Sequence, residues 1–360
     1  MIVKSLELMN FRNYERLDID FDPSTNIIFG NNAQGKTNIL EALCVSATSR
    51  SHRGSRDREM IRFGEEEAHI RSIVEKETSE YQIDIHLKKK HAKGIAVNKV
   101  PIRKSSDLFG ILNVIFFSPE DLSIIKNGPD KRRRFIDTEL CQVDRIYLYN
   151  LTEYNKALNQ RNKLLKDIKY NKKLLDTLCV WDDKLAEFGS KLIKRRETFI
   201  EEIAPVVNEL HAAISGEKEE VKLTYERNVS AEGFREALDL AFDNDMRLGS
   251  TTNGPHRDDL RFDLSGVDLR RYGSQGQQRT AALSLKLSEV TMMEKETGDK
   301  PVLLLDDVLS ELDSSRQKYL LSSLSDTQTM ITCTGLDDFV KNQYKVNRVF
   351  EVRNGVIING

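Results

Sequence analysis

The sequence predicts an α/β protein: a mixed sheet built from both ends of the chain, a small antiparallel β region beside it, and a mainly helical lobe inserted between the halves. Three observations lead there. Gly30-Asn31-Asn32-Ala33-Gln34-Gly35-Lys36-Thr37 fits the phosphate-loop spacing G-x-x-x-x-G-K-[ST] between an apolar run, Ile27-Ile28-Phe29, and residues Ile39, Leu40, Leu43, Cys44 and Ala47 that share one helical face. Val302-Leu303-Leu304-Leu305 is a second apolar run, ending in Asp306-Asp307 as a buried parallel strand delivering acids does. Between these landmarks the pattern changes from strand-like to helix-like, which sets domain boundaries at residues 1–118, 119–250 and 251–360.

The elements follow in order. Residues 2–9 and Asp18-Ile19-Asp20-Phe21 alternate as two strands joined through Asn10-Phe11-Arg12-Asn13-Tyr14, and Asp22-Pro23-Ser24 ends the second. Residues 67–104 carry three strand-like runs, read as a small antiparallel sheet, and Gly110–Phe117 reads as another buried strand. Tyr147, Leu151, Tyr154, Leu158 and Arg161 repeat at helical spacing, as do Leu178, Trp181, Leu185, Phe188 and Leu192, with a basic hairpin tip between Lys166 and Lys173. These two helices are expected to fold back on each other. Pro205 lies in a third apolar-periodic segment, from Phe199 to Leu210, and predicts a kink or a first turn there. Residues 221–225 read as a strand, Phe234 to Phe242 as a helix, and Thr329–Thr332 as the strand after the acidic one.

Composition bounds the rest. With 360 residues and 39% hydrophobic content, two or three domains with real cores are expected. No apolar run approaches the about 18 residues of a membrane span, and the first residues lack a signal-peptide pattern, so a cytoplasmic protein without membrane association is expected. Cys44, Cys141, Cys179 and Cys333 are scattered and indicate neither a disulfide framework nor a zinc site. Residues 1–135 hold 23 Lys and Arg against 19 Asp and Glu, whereas the remainder holds 32 against 38. The basic excess is clustered at Arg50, His52, Arg53, Arg56 and Arg58, at Lys88, Lys89, Lys90 and Lys93, and at Lys131 to Arg134. One such cluster is commonly a solvated face; three beside a phosphate loop point to a polyanion partner.

The chemistry expected at the loop is specific. Gly30 and Gly35 admit backbone shapes that turn successive N–H groups toward phosphate oxygens at a helix N-terminus. Lys36 reaches the β and γ phosphates and Thr37 holds Mg²⁺. Asp306 is assigned to Mg²⁺ through water, and Asp307 to orienting or deprotonating the attacking water. A second anion site is indicated by Ser274-Gln275-Gly276-Gln277 at the start of a helix. One nucleotide does not need two cradles, so Ser274 and Gly276 are expected to complete the ATP site of a second copy. That predicts an ATP-dependent homodimer.

The order of the motifs, Gly30–Thr37, Ser274–Gln277, Val302–Asp306 and Ser310–Asp313, resembles that of ATP-binding-cassette heads, which include the SMC proteins. Further stretches are similar to the narrower RecF family of bacterial replication and recombinational-repair proteins: Asn10–Tyr14, Ser51-His52-Arg53, Phe117–Leu122, Arg133–Asp137, Gly254-Pro255-His256-Arg257-Asp258-Asp259-Leu260 and Leu304–Asp313. The resemblance implies a P-loop ATPase of the cassette-head type and adds Arg12, Gln277 and Asp313 to the residues lining the nucleotide. It implies binding of single- and double-stranded DNA at gaps and action with RecO and RecR in loading RecA; little sequence preference is expected because no segment resembles a base-reading helix. Two departures from the wider cassette pattern imply slow hydrolysis: Asp307 stands where transporters carry Glu, and Thr332 where many carry a switch His. Arg133 and Arg134 either contact DNA or pair with the turn at Asp137. Two other classes share these motifs, a transporter ATPase subunit and a chromosome-organising SMC protein; an insert of about 130 residues is too short for the latter's long coiled-coil arms at 1.5 Å rise per residue.

Overall fold

The computed structural model describes residues 1–216, 219–323, 326–335 and 347–359. It forms two compact units, Met1–Leu122 with Glu289–Gly360, and Ser123–Ser288. The first unit begins with β1 (Ile2–Phe11), β2 (Tyr14–Asp20), β3 (Thr25–Phe29), α1 (Lys36–Thr48) and the short α2 (Asp57–Met60). It continues with β4 (Glu67–Lys76), β5 (Ser79–Lys88), β6 (Gly94–Val97), β7 (Val100–Pro101) and β8 (Val114–Phe117). Strands β2-β1-β4-β5-β6-β7 form one antiparallel sheet, so the first two predicted strands and the predicted small sheet are a single surface. Alternation puts Leu6, Leu8, Leu17, Ile19, Ile70, Ile83 and Ile85 in the core. The strand expected over Gly110–Phe117 forms only from Val114, because the chain turns at Gly110 with φ +83° and pairs with its neighbour from Val114 onward.

The second unit opens with α3 (Pro129–Val143), α4 (Arg145–Asp167) and α5 (Leu178–Ser215), then β9 (Val221–Glu226), α6 (Phe234–Leu240), α7 (Phe242–Leu248), β10 (Asp259–Leu264), β11 (Val267–Asp268) and α8 (Leu269–Tyr272). Helix α9 (Gln275–Thr297) begins here and ends in the first unit. The pairs Asp144–Arg195, Tyr147–Arg196 and Arg161–Asp182 show that α4 and α5 run antiparallel. Pro205 neither ends nor starts a helix: it sits inside the 38 residues of α5, and the expected third segment is the second half of that helix. The boundary expected at residue 250 is also displaced. β9 pairs with β10 along its whole length, which ties residues 259–264 to 221–226 and keeps Ser274–Gln277 in the second unit, apart from the acidic strand it was grouped with.

The chain closes the first unit with β12 (Val302–Asp306), α10 (Ser314–Ser323), β13 (Thr329–Cys333), β14 (Arg348–Arg353) and β15 (Val356–Asn359). These join β3 and β8 in a sheet of order β15-β14-β3-β13-β12-β8, parallel except for β15. Most residues of β3, β12 and β13 are buried, which is why they read as continuous apolar runs. Helix α1 touches strands of both sheets, so it buries almost its whole circumference, including Glu41 and Ser46.

Candidate functional site

The loop Gly30–Thr37 leaves the C-terminal end of β3 and enters α1, as its flanks predicted. Gly30, Ala33 and Gly35 all have positive φ, at 151°, 63° and 116°, which curls the backbone. Packing demands the glycines as well. A Cβ on Gly30 would stand 2.4 Å from the carbonyl oxygen of Val352, and one on Gly35 would stand 2.6 Å from Asn13 Nδ2 and 2.9 Å from the Tyr14 hydroxyl. The walls then bond to the loop. Asn13 Nδ2 donates to the Gln34 carbonyl at 2.8 Å, the Tyr14 hydroxyl to the Gly35 carbonyl at 3.1 Å, and Asn354 N–H to Gln34 Oε1 at 2.6 Å. Asn31, Asn32 and Ala33 remain exposed at the loop's tip.

Lys36 is buried, and its ammonium donates to the carbonyls of Gly30 at 2.6 Å and Asn31 at 2.9 Å. Burial lowers its pKa against the opposing pull of Asp307, Cys333 and Asp306. The Thr37 hydroxyl donates to Asp306 Oδ1 at 2.8 Å, and the Thr332 hydroxyl donates to the same oxygen at 2.8 Å. Thr332 Oγ1 in turn accepts the Asp307 N–H at 3.0 Å. Sequence reasoning marked Thr332 only as a missing histidine; its role in fixing both acids follows from β12 and β13 being adjacent, with Asp306 opposite Thr332. Asp307 has φ +54°, and burial raises its pKa, opposed by Lys36 and reinforced by Asp306 and Glu311. A hydroxyl beside a carboxylate at the loop's helix end fits a hard divalent cation, and a higher-than-usual carboxyl pKa fits a proton acceptor.

Four expected residues have partners within the chain. Arg12 is not on the loop: its guanidinium forks onto Glu41, Nε–Oε2 at 2.7 Å and Nη2–Oε1 at 2.6 Å, while Nη1 donates to the Glu59 carbonyl at 2.6 Å. Burial pushes Glu41 up, but hydrogen bonds from Arg12 and Ser51, with the charges of Arg12 and Arg53, outweigh it and hold the carboxyl low. It is the next two residues, Asn13 and Tyr14, that touch the loop, and the sequence offered no signal for them beyond the tight turn. Asp313 accepts the Arg316 N–H at 3.0 Å at the start of α10 and pairs with the Arg316 side chain. Ser274, exposed at the start of α9, accepts the Gln277 N–H at 3.2 Å while Gln277 Oε1 accepts the Ser274 N–H at 2.9 Å. This reciprocal cap fixes the helix start. Gln277 Nε2 also donates to Glu219 at 2.7 Å, so the signature's glutamine is already engaged within its own unit.

The basic clusters divide. Arg132 is buried, forked onto Asp259 at 2.6 and 2.9 Å and donating to the carbonyls of Ile124, Ile125 and Asn127. Arg133 donates to the Asp258 carbonyl at 2.6 Å. Both hold the second unit together. Asp137 lies within α3, not at a turn, and accepts from Arg196 at 2.8 Å, while Arg133 pairs with Asp130. Lys93 is likewise engaged, with Asp57 at 3.0 Å.

Around the segment Gly254–Leu260 the second unit carries a buried polar hub. Arg196 donates to Asp258 Oδ2 at 3.0 Å, the Pro255 carbonyl at 2.7 Å and the Tyr147 hydroxyl at 2.9 Å; the Tyr225 hydroxyl donates to Asp258. His256 bonds Tyr154 at 2.6 Å, and burial brings its pKa down to about 4. Among the described residues no helix is long and apolar enough to cross a membrane.

Residues 2–358 match the profile described as RecF/RecN/SMC N terminal domain. The chain is 62% identical over 357 residues to "DNA replication and repair protein RecF" of Agathobacter rectalis, covering 99% of each chain, and 56% identical to that of Lachnoclostridium phytofermentans, covering 100% of each. Among solved structures, one described as the recombination mediator protein RecF-ATP in the RecFOR pathway superposes with a TM-score of 0.92 at 38% identity, covering 99% of this chain and 97% of that one. An Smc head domain from Pyrococcus furiosus, at 17% identity and a TM-score of 0.57, shares the fold.

Proposed function

The chain belongs to the RecF family of DNA replication and repair proteins, and on that premise we propose that it is an ATP-gated DNA-binding switch. Gly30, Asn31, Asn32, Ala33, Gln34 and Gly35 cradle the phosphates of ATP, and Lys36 leaves the loop carbonyls for the β and γ phosphates. Thr37 and Asp306 would hold Mg²⁺, which would neutralise phosphate charge. Asp307 aligns or accepts a proton from the attacking water, and its short side chain keeps turnover slow. The dimer's lifetime is then a timer.

The observation that carries the reading is the pairing of Thr37 with Asp306 at 2.8 Å behind a loop whose glycines admit no Cβ. Ser274 and Gly276 at the exposed start of α9 present a helix N-terminus to the γ-phosphate of a second copy, giving a two-fold dimer with two buried ATP molecules. Single- and double-stranded DNA is the polyanion partner, bound with little sequence preference and steep salt dependence. RecO and RecR are the protein partners, in keeping with the RecFOR description of the similar structure, and the outcome is delivery of RecA at gaps.

Light scattering with ATP, ADP and no nucleotide tests this, and mass should double with ATP alone. Ser274→Arg should keep ATP binding by the single chain yet block both the doubling and hydrolysis. Ser274→Ala removes the cap, at about 1 kcal/mol, and the hydroxyl without adding a charge, so it should weaken the doubling less than Ser274→Arg does. A mass that is equal in all three conditions, or a Ser274→Arg variant that still doubles, overturns the composite site.

A further inference from the structure

On the solvent face of the antiparallel sheet, apart from the phosphate loop and the acidic strand, β4 and β5 bring together Glu67, His69 and His86, with Lys88 opposite Glu67. His69 and His86 are directly opposite each other in the ladder, with rings stacked at 3.9 Å between centroids and 21° between planes. Glu67, two residues before His69 and therefore on the same face, accepts or shares a proton with His86 Nε2 at 2.6 Å. One ligand atom from each of the three lies within 4.8 Å of the others. We propose that these side chains form a binding site for a divalent cation of the zinc type.

The donor set decides the class of ion. Two imidazole nitrogens and one carboxylate suit Zn²⁺ and its borderline neighbours, whereas Mg²⁺ and Ca²⁺ take oxygen donors. Three protein ligands leave a fourth position for water or another donor. The surroundings leave room for it. On β6 the residue opposite His86 is Gly94, which puts no side chain beside the imidazole, and on β1 the residue opposite His69 is the half-exposed Met9. A tetrahedral ion with bonds of about 2.0–2.2 Å needs donor atoms roughly 3.3–3.6 Å apart, within reach of rotations about χ2 in side chains that are not packed in the core. The pairing also has a mechanical result: the ion would tie two central strands of the sheet at one rung.

The test uses the full chain without nucleotide, treated with a chelator and then titrated with ZnCl₂. Calorimetry gives the affinity, and imidazole NMR signals report which rings respond. The ring signals of His69 and His86 should move together as the first equivalent binds, and the melting temperature should rise. His69→Ala and His86→Ala should each weaken that binding by about 10- to 100-fold or more and abolish the rise, while surface substitutions of this kind leave the metal-free melting temperature nearly unchanged. Zn²⁺ bound elsewhere, for instance at a free cysteine, would survive both substitutions. Ring signals of His69 and His86 that stay put while Zn²⁺ binds, or variants that bind as tightly as the parent, would overturn the proposal.

Discussion

The loop at Gly30 and the segment at Gly254 use the same residue types to opposite ends. Each starts with a glycine of positive φ pressed against a neighbour: Gly30 against the Val352 carbonyl, Gly254 with its absent Cβ 2.6 Å from the Tyr154 hydroxyl and 2.7 Å from Phe234. Each gathers a cation and carboxylates. In the second unit these close on one another: Asp258, buried beside Arg196 and Tyr225, also accepts the Asn228 N–H at 2.8 Å, and the hub is sealed. In the first unit the constraints fall on the backbone, through Asn13, Tyr14 and Asn354, while Asn31, Asn32 and Ala33 stand in solvent. Polar groups that satisfy each other make structure; polar groups whose backbone is fixed by others are left to bind.

If that contrast holds, the largest loss of stability belongs to the hub. Arg196→Ala strands Asp258 and Asp137 beside buried tyrosines and should cost about 3–5 kcal/mol, read as a lower urea midpoint. A change below about 1 kcal/mol would mean the hub is not what holds this unit. Next comes acid. The folded pKa of His256 is about 4 against 6.5 for a free imidazole, so the unfolded chain takes up this proton first as pH falls. Its contribution is intact above 6.5 and is lost progressively down to about 4, reaching up to about 3 kcal/mol. Denaturant midpoints across that window should fall less steeply in His256→Gln, and parallel curves would break the assignment. The smallest shift belongs to the loop. Lys36→Ala removes a charge that burial already disfavours, so stability should move by no more than about 1 kcal/mol while nucleotide binding drops sharply. Asp307→Asn should keep ATP binding and slow hydrolysis by about 10²–10⁴-fold. Wild-type turnover in Asp307→Asn would remove the residue from the reaction.

What the sequence made legible is local. Gly30–Thr37 and Val302–Asp307 announce themselves because backbone shape and strand burial leave signatures in adjacent residues. Asn13, which braces the loop from another strand, and Thr332, which fixes both acids, leave none, since their roles exist only once β12 lies beside β13 and the β1–β2 turn meets the loop. Arg132 misled for the related reason that an arginine in a basic run looks the same whether it faces solvent or a carboxylate of its own unit such as Asp259. Pro205 marks no first turn, because α5 continues through it despite the one hydrogen bond that proline cannot make.

The position of β3 has a consequence in time. Its two neighbours in the sheet are β13 and β14, so the strand that carries the loop is hydrogen-bonded on both sides to chain that is made roughly 300 residues later. At about 5–20 residues per second, a ribosome that has just released β3 needs roughly 15–60 s more before either partner exists. Throughout that interval β1, β2, β4 and β5 can pair among themselves and the helices of the second unit can form from local contacts, but the loop has neither its flanking strands nor Asp306. In a growing chain the loop therefore lacks the strands and the acid that stand beside it in the folded protein, and it gains them only when the C-terminal strands join the sheet.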